Sequence, residues 1–99
     1  MKRLLALAFF ALAAADAPEA PIPAEFGLVE GIAWDARSRQ LYASGVEDGA
    51  LLVREGNRWR RTVLPWRPAG LFGLAIDPRR GILWMASGIA GPTRDKAGF

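Results

Sequence analysis

"GIAWDARSRQLY" occupies residues 31–42 and "GLAIDPRRGILW" occupies residues 73–84. The two stretches align without a gap, 42 residues apart. Gly31 matches Gly73, Ala33 matches Ala75, Asp35 matches Asp77, Arg37 matches Arg79 and Leu41 matches Leu83. Ile32 stands opposite Leu74, and Tyr42 opposite Trp84. A gapless repeat at this spacing is the mark of a repeated supersecondary unit, and it organises the reading of the rest of the chain.

Around the first copy the pattern is that of strands and tight turns. In "FGLVEGIAW", beginning at Phe26, side chains alternate between faces along a strand. Leu28, Glu30, Ile32 and Trp34 fall on one face, and Val29, Gly31 and Ala33 on the other. Asp35 opens a turn, because its carboxylate accepts backbone N–H groups two residues on. "QLYAS" at 40–44 reads as a second strand and Asp48-Gly49 as a hairpin tip. "LLVRE" at 51–55 is a third strand and "RWRRTVL" at 58–64 a fourth, ended by Pro65 and Pro68. The cycle then restarts with strands at 71–77 and 81–87, followed by a loop-like end, "GIAGPTRDKAGF". No amphipathic helix is expected after residue 15.

Four short strands in a 42-residue period match a β-propeller blade, a twisted four-stranded antiparallel sheet repeated every 40–45 residues or so. The fold class expected is all-β: a partial β-propeller with one complete blade (26–68) and the first hairpin of a second, incomplete one (69–99). A small sandwich or barrel with a chance repeat is the alternative.

Residues 1–15 stand apart. Lys2 and Arg3 precede an unbroken apolar run, "LLALAFFALAAA", at 4–15. A bilayer span takes about 20 apolar residues, and the small residues Ala13-Ala14-Ala15 fit a secretory cleavage site. The segment therefore reads as a signal helix cleaved before Asp16, giving a periplasmic or secreted protein with no stable membrane span. An uncleaved anchor or a buried helix is the competing reading. Residues 16–25, "DAPEAPIPAE", read as an extended Pro/Ala-rich leader. Loss of Lys2 and Arg3 lowers the net charge from +3 to +1, with 11 basic residues left against 10 acidic ones. A nucleic-acid partner is not expected from so small an excess.

The repeated text resembles the six-bladed, Ca²⁺-dependent propellers of the SMP-30/gluconolactonase type, and the related NHL repeats, over residues 26–88. "VEGIAWDARSRQLYAS" and "FGLAIDPRRGILWMAS" carry the likeness. In the gluconolactonase-like branch a glutamate in the text "EGPxW" on the innermost strand is a metal ligand. Glu30-Gly31-Ile32-Ala33-Trp34 is similar, with Ile32 in place of the proline. The resemblance thus implies Glu30 as a Ca²⁺ ligand in a full-length relative. A carboxylate facing the channel suits a hard cation, which usually takes six or more oxygen ligands. The matching position in the second copy is Phe72, so the repeat itself does not require an acid there. The family's other ligands and its catalytic aspartate belong to later blades, so no cofactor and no catalytic residue is assigned to this chain.

Other candidates read as structural. Asp35 and Asp77 occupy equivalent turn positions and are expected to brace turns rather than to act as an acid–base pair. Arg58-Trp59-Arg60-Arg61 mixes bases with an aromatic, as single-strand binders do, but on an outermost strand it reads as a charged edge that blocks aggregation. Trp34, Trp59, Trp66 and Trp84 are expected to pack between blades, with sugar stacking by Trp66 as a secondary reading. The chain has no histidine and no cysteine, which excludes His-based triads, Cys nucleophiles and the usual zinc sites within it.

The sequence therefore predicts an exported, non-catalytic propeller segment acting as a binding or scaffold module toward an unknown small molecule or protein. A fragment of a Ca²⁺-dependent lactonase-like hydrolase is the alternative. Six blades would need about 250 residues, and about three repeats are usually required for stability. Self-association through exposed blade faces is accordingly expected, and a stable monomer is not.

Overall fold

Two antiparallel sheets make up the computed structural model, which describes residues 21–96. The first contains β1 (Val29–Asp35), β2 (Gln40–Gly45), β3 (Leu51–Glu55) and β4 (Arg58–Arg61), hydrogen-bonded in chain order as a meander. The second pairs β5 (Gly70–Asp77) with β6 (Ile82–Gly88). The all-β fold class holds, with a four-stranded sheet followed by a separate hairpin. The expected signal helix at 1–15 and the first half of the leader, 16–20, lie outside the described residues.

The sequence repeat is a repeat of backbone pairing. In the first hairpin Val29 pairs with Gly45, Ile32 with Ala43, Trp34 with Leu41 and Asp35 with Gln40. In the second, Leu71 pairs with Ser87, Leu74 with Met85, Ile76 with Leu83 and Asp77 with Ile82. Adding 42 to each residue of the first set gives the second. Both hairpins also shift register at the same place, between Val29 and Ile32 and between Leu71 and Leu74. There two residues oppose one, which is a β-bulge; such a bulge bends the strand and increases its twist.

The turns repeat as well. Asp35 Oδ1 accepts the N–H of Arg37 at 3.0 Å, and Asp77 Oδ1 accepts that of Arg79 at 3.0 Å. Each turn ends on a positive φ, 58° at Arg39 and 66° at Gly81. At the β3–β4 turn, Gly56 takes φ 62° and Asn57 does not share the positive sign, consistent with a II′ hairpin, which has glycine first.

Strand boundaries differ from the sequence reading by one residue in β2, β5 and β6, and by more in two places. Phe26 belongs to a 3₁₀ turn, Ala24–Phe26, closed by Gly27 at φ 72°, so β1 begins only at Val29. β4 stops at Arg61 rather than continuing to residue 64. Its partner β3 begins at Leu51, whose carbonyl accepts the N–H of Thr62 at 2.8 Å and ends the ladder.

Paired residues project from the same side of a sheet, so the register sorts the side chains into faces. On one face of the first sheet lie Ile32, Ala43 and Leu52, with Trp34 and Leu41 beside them. The other face carries Ala33, Tyr42 and Val53, with Gly31 and Ser44 at the bulge. This small-residue face packs on β5. The outer part of the opposite face is covered by the chain preceding β1: Phe26, Ala43, Ala50 and Leu52 form a buried cluster, with Ile22, Val29 and Trp59 against it. Ile22 and Phe26 therefore contribute to the core, while Pro23, Ala24 and Glu25 between them are exposed.

Candidate functional site

The turn carboxylates are structural, as the repeat predicted. Asp35 also accepts the Ser38 hydroxyl at 2.6 Å. That bond, followed by the Arg37 N–H, holds its carboxyl below the usual aspartate range. Asp77 accepts a second N–H, from Arg80, at 3.2 Å. Each carboxylate serves its own turn.

Glu30 sits in the β1 bulge, one residue beyond the Val29–Gly45 pair, with its side chain exposed. Its equivalent, Phe72, is half-buried in the bulge of β5. Among the described residues no three His, Cys, Asp or Glu side chains come together in a way that could hold a metal ion. Glu30 on β1 therefore belongs to no such group among the described residues.

Glu47 and Asp48, adjacent in the turn between β2 and β3, are each bound by an arginine. Glu47, between β2 and β3, accepts the N–H of Leu28 through Oε1 at 3.2 Å and pairs with Arg94 through Oε2 at 2.6 Å. Its backbone carbonyl accepts the Arg94 N–H at 2.7 Å. Thr93, almost fully buried, donates to the Val46 carbonyl at 3.1 Å and accepts the Ala90 N–H at 3.0 Å. These bonds strap the segment after β6 onto the β2–β3 turn, across 47 residues of sequence. Asp48 supports the same turn, accepting the Ala50 N–H at 3.2 Å and pairing with Arg61 at 2.7 Å.

Two shallow clefts meet at this end of the molecule and share Arg67 and Pro68. One, of about 400 Å³, is lined by Gly49, Thr62, Leu64, Pro65 and Trp66 as well. The other, of about 420 Å³, adds Asp48, Ala69, Arg94 and Asp95. Trp66 is half exposed, and the Thr62 hydroxyl is buried with no hydrogen-bond partner among the described residues. The exposed Trp66 ring beside the Arg67 side chain can hold a small polar molecule, whereas the Thr62 hydroxyl lies beneath the surface. Arg67 carried no signal in the sequence, since nothing local distinguishes it from other surface arginines.

The basic run on β4 is a charged edge. Arg60 pairs with Glu55 at 2.7 Å, and Arg61 lies 5.4 Å from the Phe26 ring centroid in addition to its bond with Asp48. Trp59 turns inward against the core cluster. The other three tryptophans depart from the expected packing role: Trp34, Trp66 and Trp84 each expose half or more of their surface. Within this chain the sheets meet through small residues instead, because Gly31 lets the β1 backbone come close to Phe72 and Leu74 of β5. No helix among the described residues is long and apolar enough to cross a membrane. No protein-family model matches the chain, and no curated protein and no solved structure matches it.

Proposed function

We propose that the chain is an exported, non-catalytic binding or scaffold segment built of β-propeller blades of the SMP-30/gluconolactonase-like kind. The observation that carries this reading is the exact 42-residue offset shared by strand pairing, bulge and turn in the two hairpins. A blade repeat accounts for all three at once, because each unit forms the same sheet and leans on its neighbour. The scaffold role is supported by how the acids are used. Asp35 and Asp77 brace turns, Glu47 and Asp48 hold the strap and the β2–β3 turn, and Glu55 pairs with Arg60. The ligand surface of this module is the pair of clefts around Trp66 and Arg67.

The second reading, a fragment of a Ca²⁺-dependent lactonase-like hydrolase, rests on Glu30. Its carboxylate is exposed on the innermost strand, where the other copy has a phenylalanine. One pair of measurements separates the readings. Calorimetric titration with Ca²⁺ and an assay of aldonolactone hydrolysis are run on the chain and on Glu30→Gln. The scaffold reading expects no hydrolysis with or without Ca²⁺, and no change on substitution. Ca²⁺-dependent turnover that Glu30→Gln abolishes would overturn it in favour of the enzyme.

A further inference from the structure

The interface between the two sheets is built from one face of each, and the described residues carry a second copy of both faces, open along β1 and β5. Inside the molecule the small-residue face of β1 and β2, with Ala33, Gly31 and Ser44, packs on the face of the second hairpin that carries Leu74, Ile76, Leu83 and Met85. All four of those residues are at least half-buried. Shifted by 42, the first face becomes Ala75, Gly73 and Ala86 on the second hairpin. Shifted back by 42, the second face becomes Ile32, Trp34, Leu41 and Ala43 on the first sheet. Both equivalents are open where β1 and β5 would be used. Ile32, Trp34 and Trp84 expose 55–60 % of their surface, while residues 22–26 cover only the Ala43 and Leu52 side.

The glycines show the same pattern most sharply. A Cβ at Gly31 would lie 2.2 Å from the Phe72 carbonyl oxygen and 3.2 Å from the Leu74 nitrogen, so glycine is what allows β5 to approach. Gly73 holds the equivalent position, and nothing lies within 4 Å of a Cβ there. Nor is φ positive at Gly73, so the backbone does not require glycine either. A strand-approach glycine stands on a face that no strand among the described residues approaches. The turn contact repeats too. Arg37 Nη1 donates to the Pro78 carbonyl at 3.3 Å, and the shifted pair is Arg79 with the Ala36 carbonyl.

We propose that the outer face of the second hairpin, around Gly73, Ala75 and Trp84, docks the Ile32–Trp34 face of a second copy of this chain, head to tail. The contact reuses the geometry of the internal interface, with the Glu30 carbonyl of the incoming copy against Gly73 and its Ala36 carbonyl within reach of Arg79. Such a contact is heterologous: each copy has one donor face and one acceptor face, so association extends until a ring closes or a filament grows. The inference rests on the equivalence of the two hairpins and not on Ca²⁺ or lactone chemistry, so it stands or falls separately from the functional reading.

Sedimentation velocity on the purified chain tests it. The parent chain is expected to sediment, with rising concentration, at a weight-average mass at least twice that of one chain. Gly73→Val blocks only the donor face, and Ile32→Asp blocks only the acceptor face. Each variant alone is expected to sediment as one chain. A mixture of the two is expected to give a species of two chains and no larger one, since each variant retains the face the other lacks. Ala75→Glu and Trp34→Glu, at exposed positions of the same faces, repeat the test and decide it if either first variant loses its β circular dichroism. A parent chain that stays monomeric overturns the proposal, as expected if a further segment of a longer chain covers these faces. So does association that survives either block, or a mixture that remains two monomers.

Discussion

The hydroxyl of Ser44, a fully buried residue on β2, donates to the backbone carbonyl of Phe72 on β5. The same oxygen accepts the Gly31 N–H at 2.9 Å, so one side chain serves the bulge of the first sheet and its junction with the second. The equivalent position on β6 is Ala86, which has no hydroxyl to repeat the link.

Ser44→Ala should therefore do more than remove a methylene-sized polar group. It leaves a buried N–H and a carbonyl unpartnered, and an unsatisfied buried group costs about 1–3 kcal/mol. Urea unfolding should show a loss in that range. A loss below about 0.5 kcal/mol would mean that the two backbone groups find other partners.

Gly31→Ala and Gly73→Ala are the same substitution at equivalent sites with opposite expected results. At Gly31 the new methyl group collides with backbone that cannot rotate away, and overpacking of this kind costs about 3 kcal/mol. At Gly73 the methyl group meets open space. There the reduced freedom of the unfolded chain should stabilise the fold by about 0.5 kcal/mol. Denaturation midpoints at a concentration where the chain is monomeric give the comparison.

Arg39 and Gly81 close equivalent turns with φ 58° and 66°. A side chain in this left-handed region costs about 1–2 kcal/mol, so Gly81→Ala should destabilise by about 1 kcal/mol. Arg39→Gly relieves the same strain but gives the unfolded chain more freedom, a loss of about 0.5–1 kcal/mol. The two terms nearly cancel, and the net change should be smaller than that of Gly81→Ala. Thermal or urea unfolding of the two variants measures the asymmetry.

Asp35 gives the first turn a pH dependence of defined sign. Its folded carboxyl is held below the ordinary aspartate value of about 3.9 by the Ser38 hydroxyl and then the Arg37 N–H. The unfolded state therefore binds the proton more readily, and stability falls as the medium is acidified. The contribution is present in full above about pH 4–5 and is lost as the pH drops through the lowered value. In Asp35→Asn this component should vanish. Unfolding midpoints of parent and variant should converge at low pH and separate above it.

Much of the fold was legible because it is local. The Asp35 and Asp77 turns, the Asp48-Gly49 hairpin and the charged β4 edge each depend on residues a few positions apart. The 42-residue offset added the one long-range fact that needed no contact map, namely that two hairpins share a register. Glu30 could be placed on the first strand by the same logic. Its isolation from other carboxylates among the described residues could not, because that depends on what the neighbouring strands bring near it.

Alternation assigns Ile32 and Trp34 to one face of β1 and Gly31 and Ala33 to the other, but both faces are apolar enough to be buried. Hydrophobicity alone would bury the tryptophan. The tertiary structure buries the small residues instead, because two backbones approach closely only where side chains are short and a serine can bridge them. The cover of the outer sheet by Ile22 and Phe26, and the strap from Thr93 and Arg94 to Val46 and Glu47, are equally invisible locally. Each joins segments that only the folded path of the chain brings within hydrogen-bonding or packing distance.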